Sequence, residues 1–260
     1  MPSVGDFLDF LEDLAPPALA EDWDNVGLLV GDRRRPVARA MTCLTLTPPT
    51  VAEAVERKGD LVVVHHPLPF QPVRQITTDT TVGSMLLELI AAGVAVYSAH
   101  TAFDSAAEGI NQRLARGLGL RGVGPLVPNE SGLGTGRVGW LEASVTLAEL
   151  ADCVKQFLGI ARVGMVGEPK REVRLAGIAC GAADDLLRPA IDAGCDCLLL
   201  GEARFHTCLA AEAAGVGLLL PGHFASERFA LEALADILRG QFAEATVWPS
   251  ARERDPLRWV

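Results

Sequence analysis

At 260 residues, with 49% apolar and 22% charged residues, the chain can bury a full core as one large α/β unit or two packed halves, and a largely disordered protein is excluded. A formal net charge of −10 argues against a nucleic-acid-binding surface, which needs a basic stripe to replace the counterions around phosphates. No stretch reaches the roughly 18 consecutive apolar residues of a membrane span, so a membrane is not an expected partner.

From the N-terminus, Val4 to Leu14 sets apolar residues at helical spacing among acidic ones, an amphipathic helix rather than the basic-then-apolar order of a signal peptide. The expected location is therefore the cytoplasm. Trp23-Asp24-Asn25 admits two readings: a buried Trp anchor with Asp24 or Asn25 capping a turn, or a loop beside a site where it touches substrate. Arg33, Arg34 and Arg35 lie between Gly31 and Pro36 and read more simply as a solvated turn than as a phosphate site.

Short apolar runs then alternate with amphipathic segments, the signature of βα units and a largely parallel or mixed sheet flanked by helices. The predicted strands are Ala38 to Leu46, Leu61 to Val64, Val94 to Ser98, Val138 to Ala143, Val173 to Ala179, Cys197 to Leu200 and Val216 to Leu220. Predicted helices include Thr50 to Lys58 closed by Gly59, Val82 to Ala92 closed by Gly93, and Asp184 to Ala193 closed by Gly194, each ending on the glycine that a helix C-terminus favours. Leu147 to Leu158 adds a helix with Thr146 as N-cap and Glu149 completing a capping box. Arg121 to Gly136 is dense in Gly and Pro without periodicity, so two α/β halves are expected, 1–125 and 126–260. The cysteines at 43, 153, 180, 195, 197 and 208 form no C-x-x-C pair and read as small buried hydrophobes in a reducing compartment.

The polar residues fall at strand ends. Leu61-Val62-Val63-Val64 runs into His65-His66-Pro67, Val94 to Ala99 into His100-Thr101-Ala102-Phe103-Asp104, and Val216 to Leu220 into Pro221-Gly222-His223, while Cys197 to Leu200 delivers Gly201-Glu202 with His206 beyond. In parallel sheets the carboxyl ends of strands share one edge, and ligands bind in the crevice outside it. Imidazole and carboxylate suit zinc, iron and manganese, and three His with two carboxylates exceed what one tetrahedral ion requires, so two divalent ions are the natural count. His223 and Glu227 stand one helical turn apart if a helix begins at Gly222. Simpler alternatives stand beside this reading: His100 and His206 as hydrogen-bonded rim residues, and Asp104 as the cap of a helix starting near Ser105. Gly181 lacks a phosphate-loop pattern, and no G-x-S-x-G is present for a nucleophilic serine.

Taken in order, Trp23-Asp24-Asn25-Val26-Gly27-Leu28, Val64-His65-His66-Pro67, Ala99-His100-Thr101-Ala102-Phe103-Asp104, Gly201-Glu202 with His206, and Gly222-His223-Phe224-Ala225-Ser226-Glu227-Arg228 resemble the motifs of the NGG-interacting-factor-like family, whose members are described as dinuclear metal centre proteins and type 2 homologues of GTP cyclohydrolase I. The resemblance covers nearly the whole chain. It implies His65, His66, Asp104, His223 and Glu227 as metal ligands, with Glu227 bridging two ions, His66 and Asp104 favouring one ion, and His65 and His223 the other. It also implies a homohexamer built as a trimer of dimers and, because too few residues separate Asp104 from Gly201 for the ferredoxin-like domain that longer members insert, a short form with no inserted middle domain. Glu202, His206 and His100 are then expected as outer partners that orient ligands or move protons. The activity so implied is hydrolysis of a small nucleotide-like or phosphorylated substrate. GTP ring-opening is the reaction the family label suggests, yet no residue here reads guanine. The rival expectation is a non-catalytic metal-binding or regulatory protein presenting an oligomeric ring to partners.

Overall fold

In the computed structural model, which describes residues 1–130 and 132–258, the chain forms two compact units, Met1–Phe103 with Ala230–Val260, and Asp104–Phe229. This differs from a single cut near residue 125. The Gly- and Pro-rich stretch lies inside the second unit, where Arg121–Gly124, Val127–Pro128 and Gly134–Thr135 are short strands. Turn residues there shape a sheet margin instead of separating domains, and the unit boundaries fall within two helices.

In chain order the first segment comprises Val4–Leu14 (α1), Gly27–Val30 (β1), Arg39–Thr45 (β2), Pro48–Glu56 (α2), Leu61–His66 (β3), Thr81–Ala92 (α3), Ala95–Ser98 (β4) and His100–Ser105 (α4). Then follow Ile110–Gly117 (α5), Arg121–Gly124 (β5), Val127–Pro128 (β6), Gly134–Thr135 (β7), Arg137–Thr146 (β8), Leu147–Leu158 (α6), Gly164–Val166 (β9), Glu172–Ala182 (β10), Leu187–Asp192 (α7), Cys197–Glu202 (β11), Phe205–Ala214 (α8), Gly217–Leu220 (β12), His223–Gln241 (α9) and Thr246–Pro249 (β13). Every predicted strand is present in this mixed α/β fold. Strands β1, β5, β6, β7, β9 and β13, each of four residues or fewer, are not among the predicted strands. Helix α2 begins earlier than predicted: Pro48 and Pro49 occupy its first positions, where a missing N–H costs nothing. At its end Lys58, not Gly59, takes the left-handed conformation. The predicted helix from Asp184 is a 3-10 turn, Asp184–Leu186, leading into α7.

The first unit holds a five-stranded sheet in the order β1-β4-β3-β2-β13. Strands β4, β3, β2 and β13 are mutually parallel, and β1 is antiparallel to β4. Its apolar faces are closed by Met41, Val62, Val64, Val96, Leu86, Leu89 and Trp248. Between α2 and β3, the carboxylate of Asp60 accepts the backbone N–H groups of Ala38 and Arg39, each at 2.9 Å, which sets the register of the central strand pair.

The second unit holds a six-stranded sheet in the order β5-β8-β10-β11-β12-β9. Here β10, β11 and β12 are parallel, with antiparallel neighbours on either side. Asp196 repeats the device of Asp60, accepting from the backbone N–H of Arg174 at 2.8 Å and Leu175 at 2.9 Å. In both units the parallel strands present their carboxyl ends along one sheet edge, the usual place for ligands. Among the described residues no helix is long and apolar enough to cross a membrane.

Candidate metal centre

Each unit carries its own cluster of candidate ligands. In the first, β3 continues two residues beyond the predicted end, so both His65 and His66 belong to the strand. Successive strand residues point to opposite faces, and at the strand end this leaves His65 buried and His66 half-buried. The parallel register sets Thr45 of β2 opposite His66, and Thr45 Oγ1 and His66 Nδ1 share a hydrogen bond of 2.7 Å. Ser98, at the end of β4, donates its hydroxyl to the His65 carbonyl at 2.6 Å.

His100 opens α4 with φ of 26°, a left-handed conformation that costs a side-chain-bearing residue energy and is found where structure is held for a purpose. What holds it is Asp24. His100 Nδ1 donates to Asp24 Oδ1 at 2.7 Å, and the Thr101 backbone N–H donates to Oδ2 at 3.1 Å. The Thr101 hydroxyl donates to the same oxygen. Burial alone would raise the Asp24 carboxyl, but the hydrogen bonds from His100 and Thr101 prevail and bring it down to about 2. The buried Trp anchor is not realised: Trp23 is 60% exposed, and it is Asp24 that ties the loop down.

The rings of His65, His66 and His100 lie 5.0 to 5.5 Å apart by centroid. One ligand nitrogen from each comes within 4.8 Å of the others, close enough to hold an ion. His100 is thus gathered with the two strand histidines as a third imidazole, nearer to them than the outer role expected from sequence suggested.

In the second unit, Asp104 lies in α4 and accepts the Cys180 thiol at Oδ1, 3.1 Å away. Burial, reinforced by the charges of Asp104 and Glu227, pushes the Cys180 thiol well up, so it stays protonated and donates. Asn111 bridges the same two residues, donating to the Asp104 carbonyl at 3.2 Å and accepting from the Cys180 N–H at 2.7 Å. His223 opens α9, and its Nε2 stands 3.1 Å from Glu227 Oε2, one turn on. Its Nδ1 donates to Glu202 Oε1 at 3.0 Å. The hydrogen bond with Glu227, helped by both carboxylate charges and opposed by burial, raises His223 to about 9. At neutral pH a proton therefore sits between His223 and Glu227, where the chemistry of the pair equally suits a metal cation.

Two glycines make room for these groups. Strand β10 is irregular between Ala179 and Ala182, a bulge of the kind that re-aims residues beside sites. Within it Gly181 adopts φ of 63°, and a Cβ there would lie 2.3 Å from Glu227 Oε1. Gly201 is as tight: its Cβ would meet the Gly181 carbonyl at 2.5 Å and Ser226 Oγ at 2.6 Å. That serine hydroxyl accepts from the Gly181 N–H at 3.0 Å and donates to the His223 carbonyl at 2.8 Å.

Sequence reasoning passed over Thr45, Cys180, Asn111, Ser226 and Arg137. The Arg137 guanidinium is buried and donates to the carbonyls of Gly134, Gly136, Ser105 and Ala106 at 2.6 to 2.8 Å. It also donates through Nε to Gln112 Oε1 at 3.0 Å, pinning the turn that follows Asp104. A buried cation in a strand was the available signal, though invisible before burial is known. His206 stands exposed on α8 beside Phe205 and, among the described residues, joins neither cluster.

The donor set fits divalent metal ions. Imidazole nitrogens and carboxylate oxygens are gathered at strand ends, and Nδ1 of His66, His100 and His223 is in each case engaged by a protein oxygen, the arrangement that fixes metal-binding imidazoles. Fold and residues together define an α/β protein with histidine- and carboxylate-rich candidate metal sites.

Residues 2–256 match the Duf34/NIF3 (NGG1p interacting factor 3) family, and the chain belongs to it. It is similar to a Clostridium acetobutylicum protein named GTP cyclohydrolase 1 type 2 homolog, 34% identical over 86% of this chain and 85% of that protein. It also resembles the NIF3-like protein 1 of Drosophila melanogaster, 32% identical over 95% of this chain and 86% of that one. A crystal structure of a Bacillus cereus protein related to NIF3 superposes with a TM-score of 0.91 at 21% identity, covering 100% of this chain and 99% of that one, a likeness of fold.

Proposed function

We propose that this protein is a dinuclear metal-dependent hydrolase acting on a small nucleotide-like or phosphorylated substrate. The residues that would hold the ions in this reading are His65, His66, Asp104, His223 and Glu227. The observation that carries it is the hydrogen bond held by Nδ1 in three imidazoles. In each ring this leaves Nε2 as the nitrogen outside that bond, the arrangement that metal-binding imidazoles use to fix their orientation.

When bound, the ions supply Lewis acidity, activating a water and neutralising charge on an electrophilic carbon or phosphorus. The remaining roles fall to side chains of this chain. Glu202 and Thr45 keep His223 and His66 in one orientation. Asp24, ionised across the physiological range, holds a proton on His100 Nδ1 and makes Nε2 the atom that accepts or returns a proton from substrate. The Cys180 thiol orients the Asp104 carboxylate by donating to Oδ1. A cytoplasmic location and assembly as a hexamer, a trimer of dimers, complete the proposal on the strength of the family resemblance.

The test is metal analysis combined with turnover. Protein reconstituted with zinc, manganese or ferrous iron is assayed against a panel of nucleotides and phosphoesters, beside Glu227→Ala. Expected are two ions per chain and hydrolysis of at least one class. In the variant, turnover should fall by more than the roughly 10–100-fold that follows loss of an outer partner, with the oligomer intact by sedimentation. Turnover that survives Glu227→Ala sinks the catalytic reading; two ions without turnover on any class would favour a metal-binding or regulatory protein.

A further inference from the structure

The first unit exposes two large aromatic side chains beside its histidines. Trp23 is 60% and Phe70 46% exposed, their ring centroids 6.0 Å apart and tilted by 58°. His100 meets both edge-on, at 6.0 Å from each ring, while also touching His65 and His66. An aromatic pair at a solvent-facing site is the informative exception to burial of apolar residues.

Neither ring is exposed because its loop is loose. The Asn25 side-chain amide donates to the Pro69 carbonyl at 2.7 Å, tying the Trp23 loop to the turn that bears Phe70. On the other side the Glu21 N–H donates to Thr101 Oγ1 at 3.0 Å, the Asp24 N–H donates to the Glu21 carbonyl at 2.9 Å, and Asp24 is bound to His100 and Thr101. Hydrogen bonds of Glu21, Asp24 and Asn25 thus hold the indole between them out in water.

We infer that Trp23 is a stacking platform for the planar heteroaromatic ring of the substrate, of the size and chemistry of a nucleoside base, with Phe70, tilted by 58°, flanking it and His100 beside both, so that the reacting group extends towards the histidines. This rests on the hydrolase reading above and adds the substrate's ring to it. The platform is built of π faces with no side-chain donor or acceptor of its own beyond the indole N–H, so it grips a ring by stacking and discriminates weakly among bases.

The test is binding to the full chain, followed by tryptophan emission and by calorimetry, with adenosine, guanosine and uridine as ring-bearing probes and ribose 5-phosphate as the ringless one. Nucleosides should bind and quench emission. Trp23→Ala should weaken nucleoside binding by about tenfold or more, the effect expected from loss of one base–aromatic stack. Trp23→Phe should recover part of it, and Phe70→Ala should lose less. Ribose 5-phosphate affinity and metal content should be unchanged in Trp23→Ala. His66→Ala, emptied of metal, should still bind nucleosides, so a failed metal reading leaves the platform standing and a failed platform leaves the metal reading standing. Nucleosides that bind Trp23→Ala as well as the parent, or that never bind the parent, overturn the inference. So does a Trp23→Ala chain that changes its oligomeric state with ring affinity intact, since the aromatics then belong to a self-association surface.

Discussion

In the first unit three parallel strands, β2, β3 and β4, are followed by an antiparallel edge, β1; in the second β10, β11 and β12 are followed by β9. Asp60 and Asp196 tie down the first strand of each set through paired backbone N–H groups. The third strand of each set leads into a helix opened by a histidine with an acidic residue four positions later, His100 with Asp104 and His223 with Glu227. The plan is shared, and the placement of charge is opposite. In the first unit the histidine cluster is rich in imidazole, and a buried carboxylate, Glu53, is structural: it accepts from Ser250 Oγ at 2.7 Å and from the Ala251 and Arg252 N–H groups at 3.0 Å. In the second unit the buried guanidinium of Arg137 is structural, and the carboxylates of Glu227, Glu202 and Asp104 attend the candidate site. The first cluster is thus chiefly imidazole, with Asp24 as its carboxylate, and the second chiefly carboxylate, which keeps His223 protonated at neutral pH.

Breaking the structural charge of the second unit should have the largest effect. Arg137→Met leaves several buried carbonyls without their donor, each worth about 1–3 kcal/mol, and an overall loss of about 3 kcal/mol is expected from urea denaturation monitored by circular dichroism. Gly181→Ala follows: its left-handed backbone costs about 1–2 kcal/mol with a Cβ present, and the methyl group displaces Glu227. The sharper readout is metal content, which should fall while the fold persists; full metal occupancy in this variant would mean that Glu227 is not held where Gly181 admits it.

Glu53→Gln sharpens the comparison from the other side. Burial works to raise Glu53, but hydrogen bonds from Ser250, Ala251, Arg252 and Arg57 prevail and hold it below its ordinary 4.5. A carboxyl lowered by folding stabilises the native state above its unfolded pKa, and that contribution drains away as pH falls below about 4.5 and through the folded value. The parent should therefore lose thermal stability over this acid range more steeply than Glu53→Gln. The variant should be weaker by about 1–3 kcal/mol at pH 7, with its metal content unaltered; equal acid slopes in both proteins would contradict the structural role. The smallest effect is expected from Glu202→Gln, since that carboxylate side chain is 53% exposed and a surface ion pair contributes about 0–1 kcal/mol. Its mark should be metal affinity reduced by about tenfold at nearly unchanged stability, measured by competition with a chelator.

Much of the arrangement is readable before folding is considered. The runs ending at Val64, Ser98, Leu200 and Leu220 are strands, and the polar residues after them stand at carboxyl ends, because period and composition are local properties of the chain. The capping box of Thr146 and Glu149 is likewise present as expected. The Gly-rich stretch misled, since glycine density marks a sheet margin as readily as a domain boundary, and Trp23 proved exposed where a core anchor was one of two readings.

Local sequence determined which residue types reach the sheet edges, and the four-residue interval that brings His223 to Glu227. The tertiary structure decided which groups orient them: Thr45 meets His66 only through the register of β2 on β3, Asp24 reaches His100 across 76 positions of chain, and Gly181 yields its side-chain space to Glu227. Such partners are chosen by strand register and close packing, which depend on segments far apart in sequence and leave no periodic trace in either one.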